Sequence, residues 1–256
     1  MSAAQHWRES LPTWAIPEEI MQQAPESPWI HPVSKFTPEG NLHVDTPSRL
    51  RALEALPHGG SVLDVGCGGG RAAFGLVPPA IHVVGVDHQQ AMLDVFAHEA
   101  TARRITHEVI LGDWPDVAET TPECDVVTCH HVFYNVADLV PFVHALSSHA
   151  RRRVVVELSQ HHPLASLSPM WKKFWDLDRP VSPIADDALA VVTSLGYNVH
   201  LEKFTQEIPL HEVTEDDVRF TRIRLCLTSD KDPEVRAHMA ENPLTHRYNA
   251  TLWWDV

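Results

Sequence analysis

The run Asp64-Val65-Gly66-Cys67-Gly68-Gly69-Gly70 is the densest chemistry-bearing pattern in the chain, and Asp87, Gly112-Asp113 and His130-His131 follow it in order. A turn whose backbone lies flat against a ligand calls for glycine, because a Cβ would collide with the ligand or forbid a positive φ. An acid closing the strand after such a turn stands where both hydroxyls of a ribose can donate to it. The pattern therefore predicts a site for a nucleoside-containing cofactor. Histidine exchanges a proton near neutrality, so His130 and His131 are candidates for a general base or for a group that positions a second ligand.

The positions of the glycines narrow the cofactor. The dinucleotide fingerprint G-x-G-x-x-G/A needs a small residue three places after its second glycine, and Arg71 occupies that place after Gly68. A nicotinamide oxidoreductase is disfavoured on that ground and for want of a second nucleotide-binding half. No G-x-x-x-x-G-K-[ST] loop is present, which disfavours a nucleoside triphosphate site.

These residues need elements to hold them. A helix is expected from an N-cap at Asp45 or Thr46, through Pro47, to the stop at Pro57 and Gly59-Gly60. Apolar runs predict strands at Val62-Leu63 and Val83 to Asp87. Helical spacing recurs over 137–150 and 185–195, and 198–204 and 249–254 alternate like strands.

The motif acid-x-Gly-x-Gly-x-Gly, met by Asp64, Gly66, Gly68 and Gly70, resembles the first motif of the class I S-adenosylmethionine-dependent methyltransferases, and the resemblance extends over roughly 61–158. It implies an α/β, doubly wound, Rossmann-like seven-stranded sheet, mostly parallel with the last strand antiparallel. The implied cofactor is S-adenosyl-L-methionine, held by Asp64, Gly66, Cys67, Gly68, Gly70, Asp87, His88, Met92, Gly112, Asp113, Trp114 and His130. Asp87 would take the ribose and Asp113 the adenine amino group. Met92 fits an ordinary apolar helix face with Val95 and Phe96 better than it fits the cofactor, and Trp114 equally fits a core position. His130 and His131 would lie beside the transferring methyl as catalytic candidates. Tyr134, Asn135, Glu157 and His161, with Trp29 and Trp171 from flanking segments, would line the acceptor site.

Residues 1–45, rich in proline and tryptophan, show no sustained period and are expected to form an arm or lid outside the core. The methyltransferase domain would span 46–256, with insertions at 159–184 and 211–245. Connections of this length are usually functional, and both leave the sheet near its carboxyl edge, so the arm and insertions are read as an acceptor-site cap.

Composition bounds the partners. Twenty Lys and Arg against 34 Asp and Glu give a net charge of −14, which opposes approach to phosphate backbones and disfavours nucleic acid. A small-molecule acceptor fits better, with a homo-oligomer left open. The four cysteines lack C-x-x-C spacing and read as reduced, buried thiols. No run is long and apolar enough to span a bilayer, so no membrane partner and a cytoplasmic location are expected. No recognised metal-ligand spacing occurs, so no metal-binding residues are assigned and the metal requirement stays open. The acceptor atom, oxygen or nitrogen, stays open. The alternative from another class is a catalytically inactive S-adenosylmethionine-binding regulatory or scaffold protein.

Overall fold

The computed structural model describes residues 1–29 and 40–256. Its elements in chain order are α1 (Ala3–Ser10), α2 (Glu18–Met21), α3 (Pro47–Ala55), β1 (Ser61–Val65), α4 (Arg71–Phe74), β2 (His82–Asp87), α5 (Gln90–Ala102), β3 (Thr106–Leu111) and β4 (Cys124–His130). They continue with α6 (Leu139–His149), β5 (Ala150–Ser159), α7 (Ser168–Trp175), α8 (Ala185–Ser194), β6 (His200–Glu207), α9 (Glu215–Arg224), α10 (Asp232–Glu241) and β7 (His246–Asp255). The seven strands form one sheet in the order β3-β2-β1-β4-β5-β7-β6, with β7 antiparallel to both neighbours. Strand order reverses between β1 and β4, and ligands of open α/β sheets bind in the crevice at the carboxyl ends of such strands.

The central strands alternate between the two faces as a period of two requires. Leu63, Val65, Val84, Val86, Val127, Val154 and Val156 join one core cluster with residues of α6 and α8. Val62, Val83, Val126 and Val155 join the other with residues of α3, α4 and α5. Helix α3 begins as expected, with Thr46 Oγ1 accepting from Arg49 N at 3.2 Å and Pro47 at the first turn.

One expectation is corrected. Residues 3–10 are not an arm outside the core: Trp7 is fully buried in the first cluster, and its indole N–H donates to the Val136 carbonyl at 2.9 Å. A single large residue anchors α1, so no repeated apolar pattern marks it in the sequence. The part of the arm at 30–39 lies outside the described residues. The helix after the glycine turn is short, Arg71–Phe74, with Gly75 as its C-cap.

A third, separate cluster gathers Ile16 and Ile20 from the N-terminal segment, Met170 and Trp171 from α7, Val218 from α9, Leu225 to Leu227, and Val235 from α10. The segments expected to form a cap thus share one apolar core. Arg222, largely buried on α9, links them further, with its guanidinium 2.9 Å from Asp232 and 3.8 Å from Glu26.

Candidate active site

The glycine turn is held from both ends. Gly66 N and Cys67 N donate to the Val86 carbonyl at 2.8 and 3.0 Å, and Gly68 N donates to Asp87 Oδ2 at 3.0 Å. Gly66 has φ +70, and a Cβ there would lie 2.3 Å from Val132 Cγ2; Gly70 has φ +90 and would meet the Phe74 ring. Asp87 Oδ1 accepts from Gln89 N at 2.9 Å. Each carboxylate oxygen therefore spends one lone pair on the backbone and keeps another, which suits the two hydroxyls of a ribose. The Gly112 N–H reaches the Asp87 carbonyl at 3.0 Å, so Asp113 is brought to the same edge and left exposed. These features fit a nucleoside cofactor along Gly66, Gly68, Asp87 and Asp113.

Other expected cofactor residues fall elsewhere. Asp64 is buried behind the turn, where Thr128 Oγ1 donates to Oδ1 at 3.0 Å and Ala73 N to Oδ2 at 3.2 Å. It shapes the turn and α4 from beneath. Cys67 is likewise buried, and burial pushes its thiol well up. Met92 is buried on α5, while His88 is exposed. The Trp114 ring leans on α6, 5.0 Å from His149 and edge-on to it, with its N–H toward the Phe142 carbonyl at 3.4 Å; its ring serves packing.

Burial pushes the Asp64 carboxyl up to about 7, against the pull of the Thr128 and Ala73 donors. Unfolded, it ionises near its ordinary value of 3.8. Its contribution to stability is thus fully present below about pH 4 and is lost as pH rises through about 7. At about 1.4 kcal/mol per unit, the loss is at most about 4 kcal/mol. Urea unfolding at intervals from pH 4 to 8 should show Asp64→Asn gaining on the parent across that window. A constant difference would mean that Asp64 titrates normally.

On the far side of β1, strands β4 and β5 deliver a polar cluster. His130 and Glu157 are register partners on these parallel strands. His131, at φ +59, donates its backbone N–H to the Glu157 carbonyl at 2.6 Å and sets Nε2 3.2 Å from Glu157 Oε1. The left-handed region is uncommon for a residue with a Cβ, though histidine is enriched there. Ser48, fully buried at the start of α3, donates to Glu157 Oε2 and shares a 2.6 Å hydrogen bond with Thr251 Oγ1 on β7. Burial raises the Glu157 carboxyl, but the His131 hydrogen bond, the charges of both histidines and the Ser48 hydroxyl outweigh it and hold the group at about 2. For His130, burial lowers the imidazole, with Glu157 opposing and His131 reinforcing. Its Nε2 is buried and has no hydrogen-bond partner among the described residues. A cavity beneath α3 and α4 is lined by Ser48, Thr128, His130, Glu157 and Gln206, among others.

Several expected acceptor residues do not converge there. Tyr134 is buried between Trp7, stacked at 5.5 Å, and the edge of His162 at 5.3 Å; its hydroxyl donates to the Ser159 carbonyl at 2.9 Å. Burial raises that phenol, and its role is to fasten the loop. Trp171 is fully buried in the cap cluster. Trp29, Asn135 and His161 are exposed and stand apart from the interactions that set the Glu157 cluster among the described residues. Ser48, Thr128 and Thr251 escaped the sequence reading because a single hydroxyl residue in a helix or strand carries no spacing signal.

Comparison with known proteins gives a consistent result. Residues 62–153 match the family described as a methyltransferase domain. A ubiquinone biosynthesis O-methyltransferase of Coxiella burnetii is 30% identical over 112 residues, covering 43% of this chain and 47% of that protein. The chain thus spans about half the length of the curated relatives it matches. The solved structure of YcgJ from Bacillus subtilis aligns over 81% of this chain and 97% of its own, with 15% identity and a TM-score of 0.55. Coclaurine N-methyltransferase aligns over 99% of this chain and 86% of its own, with 14% identity and a TM-score of 0.52. At these identities the structural likeness concerns the fold.

Proposed function

We propose that this chain is a class I S-adenosylmethionine-dependent methyltransferase, a reading supported by the methyltransferase-domain match over 62–153 and by its O-methyltransferase relatives, and that it transfers the methyl group of S-adenosylmethionine to a small-molecule acceptor. The observation that carries this reading is the Asp87 carboxylate at the carboxyl end of β2, tied to Gly68 N and Gln89 N with a lone pair to spare on each oxygen, while β4 and β5 carry His130 and Glu157 to a cavity of their own. When bound, the cofactor supplies a methyl on a positively charged sulfur, an already activated leaving group. The protein then has to align the acceptor and shield the site from water. Gly66, Gly68, Asp87 and Asp113 would hold the nucleoside, and His130 and Glu157 would face the acceptor. The net charge of −14 favours a small acceptor over a nucleic acid. No described helix is long and apolar enough to cross a membrane. Four free, buried cysteines support work in the cytoplasm.

The direct test is calorimetric titration with S-adenosylhomocysteine, paired with transfer of a radiolabelled methyl to a panel of small acceptors. Gly68→Val is the matching control. Gly68 sits at φ +50, where a β-branched residue is strained, and the new side chain would project from the cofactor turn. The variant should lose about 1–3 kcal/mol of stability and bind the cofactor product at least about a hundredfold more weakly. A folded Gly68→Val protein with parental affinity would place the cofactor elsewhere.

A further inference from the structure

The cluster around Glu157 contains one buried polar atom that the protein leaves unanswered. His130 Nε2 has no hydrogen-bond partner among the described residues, and His130 lines the cavity with Ser48, Thr128, Glu157 and Gln206. A buried polar group without a partner is costly, and a ligand that hydrogen-bonds to it recovers that cost. The groups of the Glu157 cluster around it are already engaged with one another. Glu157 Oε1 is taken by His131 and Oε2 by Ser48, whose hydroxyl also meets Thr251. Main-chain and side-chain bonds from one residue, Glu157, thus fix His131, while α3 and β7 fix Glu157.

Resting on the methyl-transfer reading above, we propose that the acceptor is a hydroxyl compound whose proton is taken by His130 Nε2, with Glu157 fixed as the neighbouring anion by the positioning residues Ser48, Thr251 and His131. A neutral imidazole with its proton on Nδ1 presents a lone pair at Nε2. A hydroxyl needs a base as it attacks, whereas an amine already carrying a lone pair needs none. A thiol donates weakly and suits an oxygen-rich lining poorly. In the step, the acceptor oxygen bonds the methyl carbon, the sulfur–methyl bond pair returns to sulfur, and the hydroxyl proton passes to His130. The imidazolium so formed is stabilised by the Glu157 carboxylate, a fixed charge that needs no reorganisation. His131, half exposed and bonded to Glu157, lies on the route by which that proton returns to water.

The test uses the full chain with phenol, benzyl alcohol, benzylamine and benzyl mercaptan as acceptors and labelled S-adenosylmethionine. Methylation should go to the hydroxyl compounds. His130→Gly should lower turnover about a hundredfold or more, keep S-adenosylhomocysteine affinity, and regain turnover with added imidazole. Ser48→Ala should lower kcat about tenfold with the KM for acceptor unchanged, and Glu157→Asp should keep more turnover than Glu157→Gln. In nitrogen-15 histidine spectra of the S-adenosylhomocysteine complex, phenol should shift the Nε2 signal of His130 and leave it unmoved in no case where phenol is bound. Preferential methylation of benzylamine, or full turnover in His130→Gly, overturns the hydroxyl assignment alone. Failure of S-adenosylhomocysteine to bind overturns the methyl-transfer reading beneath it.

Discussion

Trp7→Ala should destabilise the protein by about 3–5 kcal/mol, the range for truncating a fully buried tryptophan. The indole is completely enclosed in the cluster beneath α6 and α8, stacks on Tyr134 at 5.5 Å and donates to the Val136 carbonyl. Truncation opens a cavity and leaves that carbonyl without its donor. The effect is not confined to stability. Tyr134 and Val136 belong to the loop that follows His130-His131, so losing Trp7 loosens the segment that carries both histidines. Chemical unfolding of the variant, with Trp29→Ala as a control at a half-exposed site, measures the difference. Equal, small effects in the two variants would return residues 3–10 to the status of a dispensable arm.

Asp87→Ala should weaken S-adenosylhomocysteine binding by about 1.5–3 kcal/mol, the scale of hydrogen bonds to a charged group. This corresponds to about tenfold to a hundredfold or somewhat more in Kd. Two losses coincide in this variant. The carboxylate that would receive the ribose is removed, and Gly68 N and Gln89 N lose the acceptor that sets the turn against the start of α5. Asp87→Asn separates them, since its amide oxygen can still accept from one backbone N–H while its NH2 group opposes the other. The asparagine variant should fall between the parent and alanine in affinity. Unchanged calorimetric affinity in a folded Asp87→Ala protein would remove the residue from the site.

Much of this protein is legible in its residues taken in order. Continuous apolar, β-branched runs marked β1 and β2, because a strand buried between two helical layers must be apolar on both faces. Thr46-Pro47 marked the start of α3 through local capping chemistry. The turn at Gly66 to Gly70 and the acid at Asp87 were readable because a backbone that must approach a ligand restricts residue type locally. Residues whose roles depend on partners far along the chain were not legible. Ser48, Glu157 and Thr251 meet only because α3 packs on β5 and β7 lies antiparallel beside it, with Glu157 and Thr251 in register. Conversely, Tyr134, Trp114 and Trp171 have the chemistry of ligand-binding residues, but tertiary packing encloses the rings of Tyr134 and Trp171 in the interior and holds the half-buried Trp114 against α6. The sequence by itself determined the fold class, the cofactor turn and the acid that follows it. Only the tertiary structure decided that α1 is part of the core, that Asp64 works from beneath the turn, and that His130 keeps in a cavity a nitrogen without a partner among the described residues. Burial and long-range pairing are properties of the packed chain, and no local pattern encodes them.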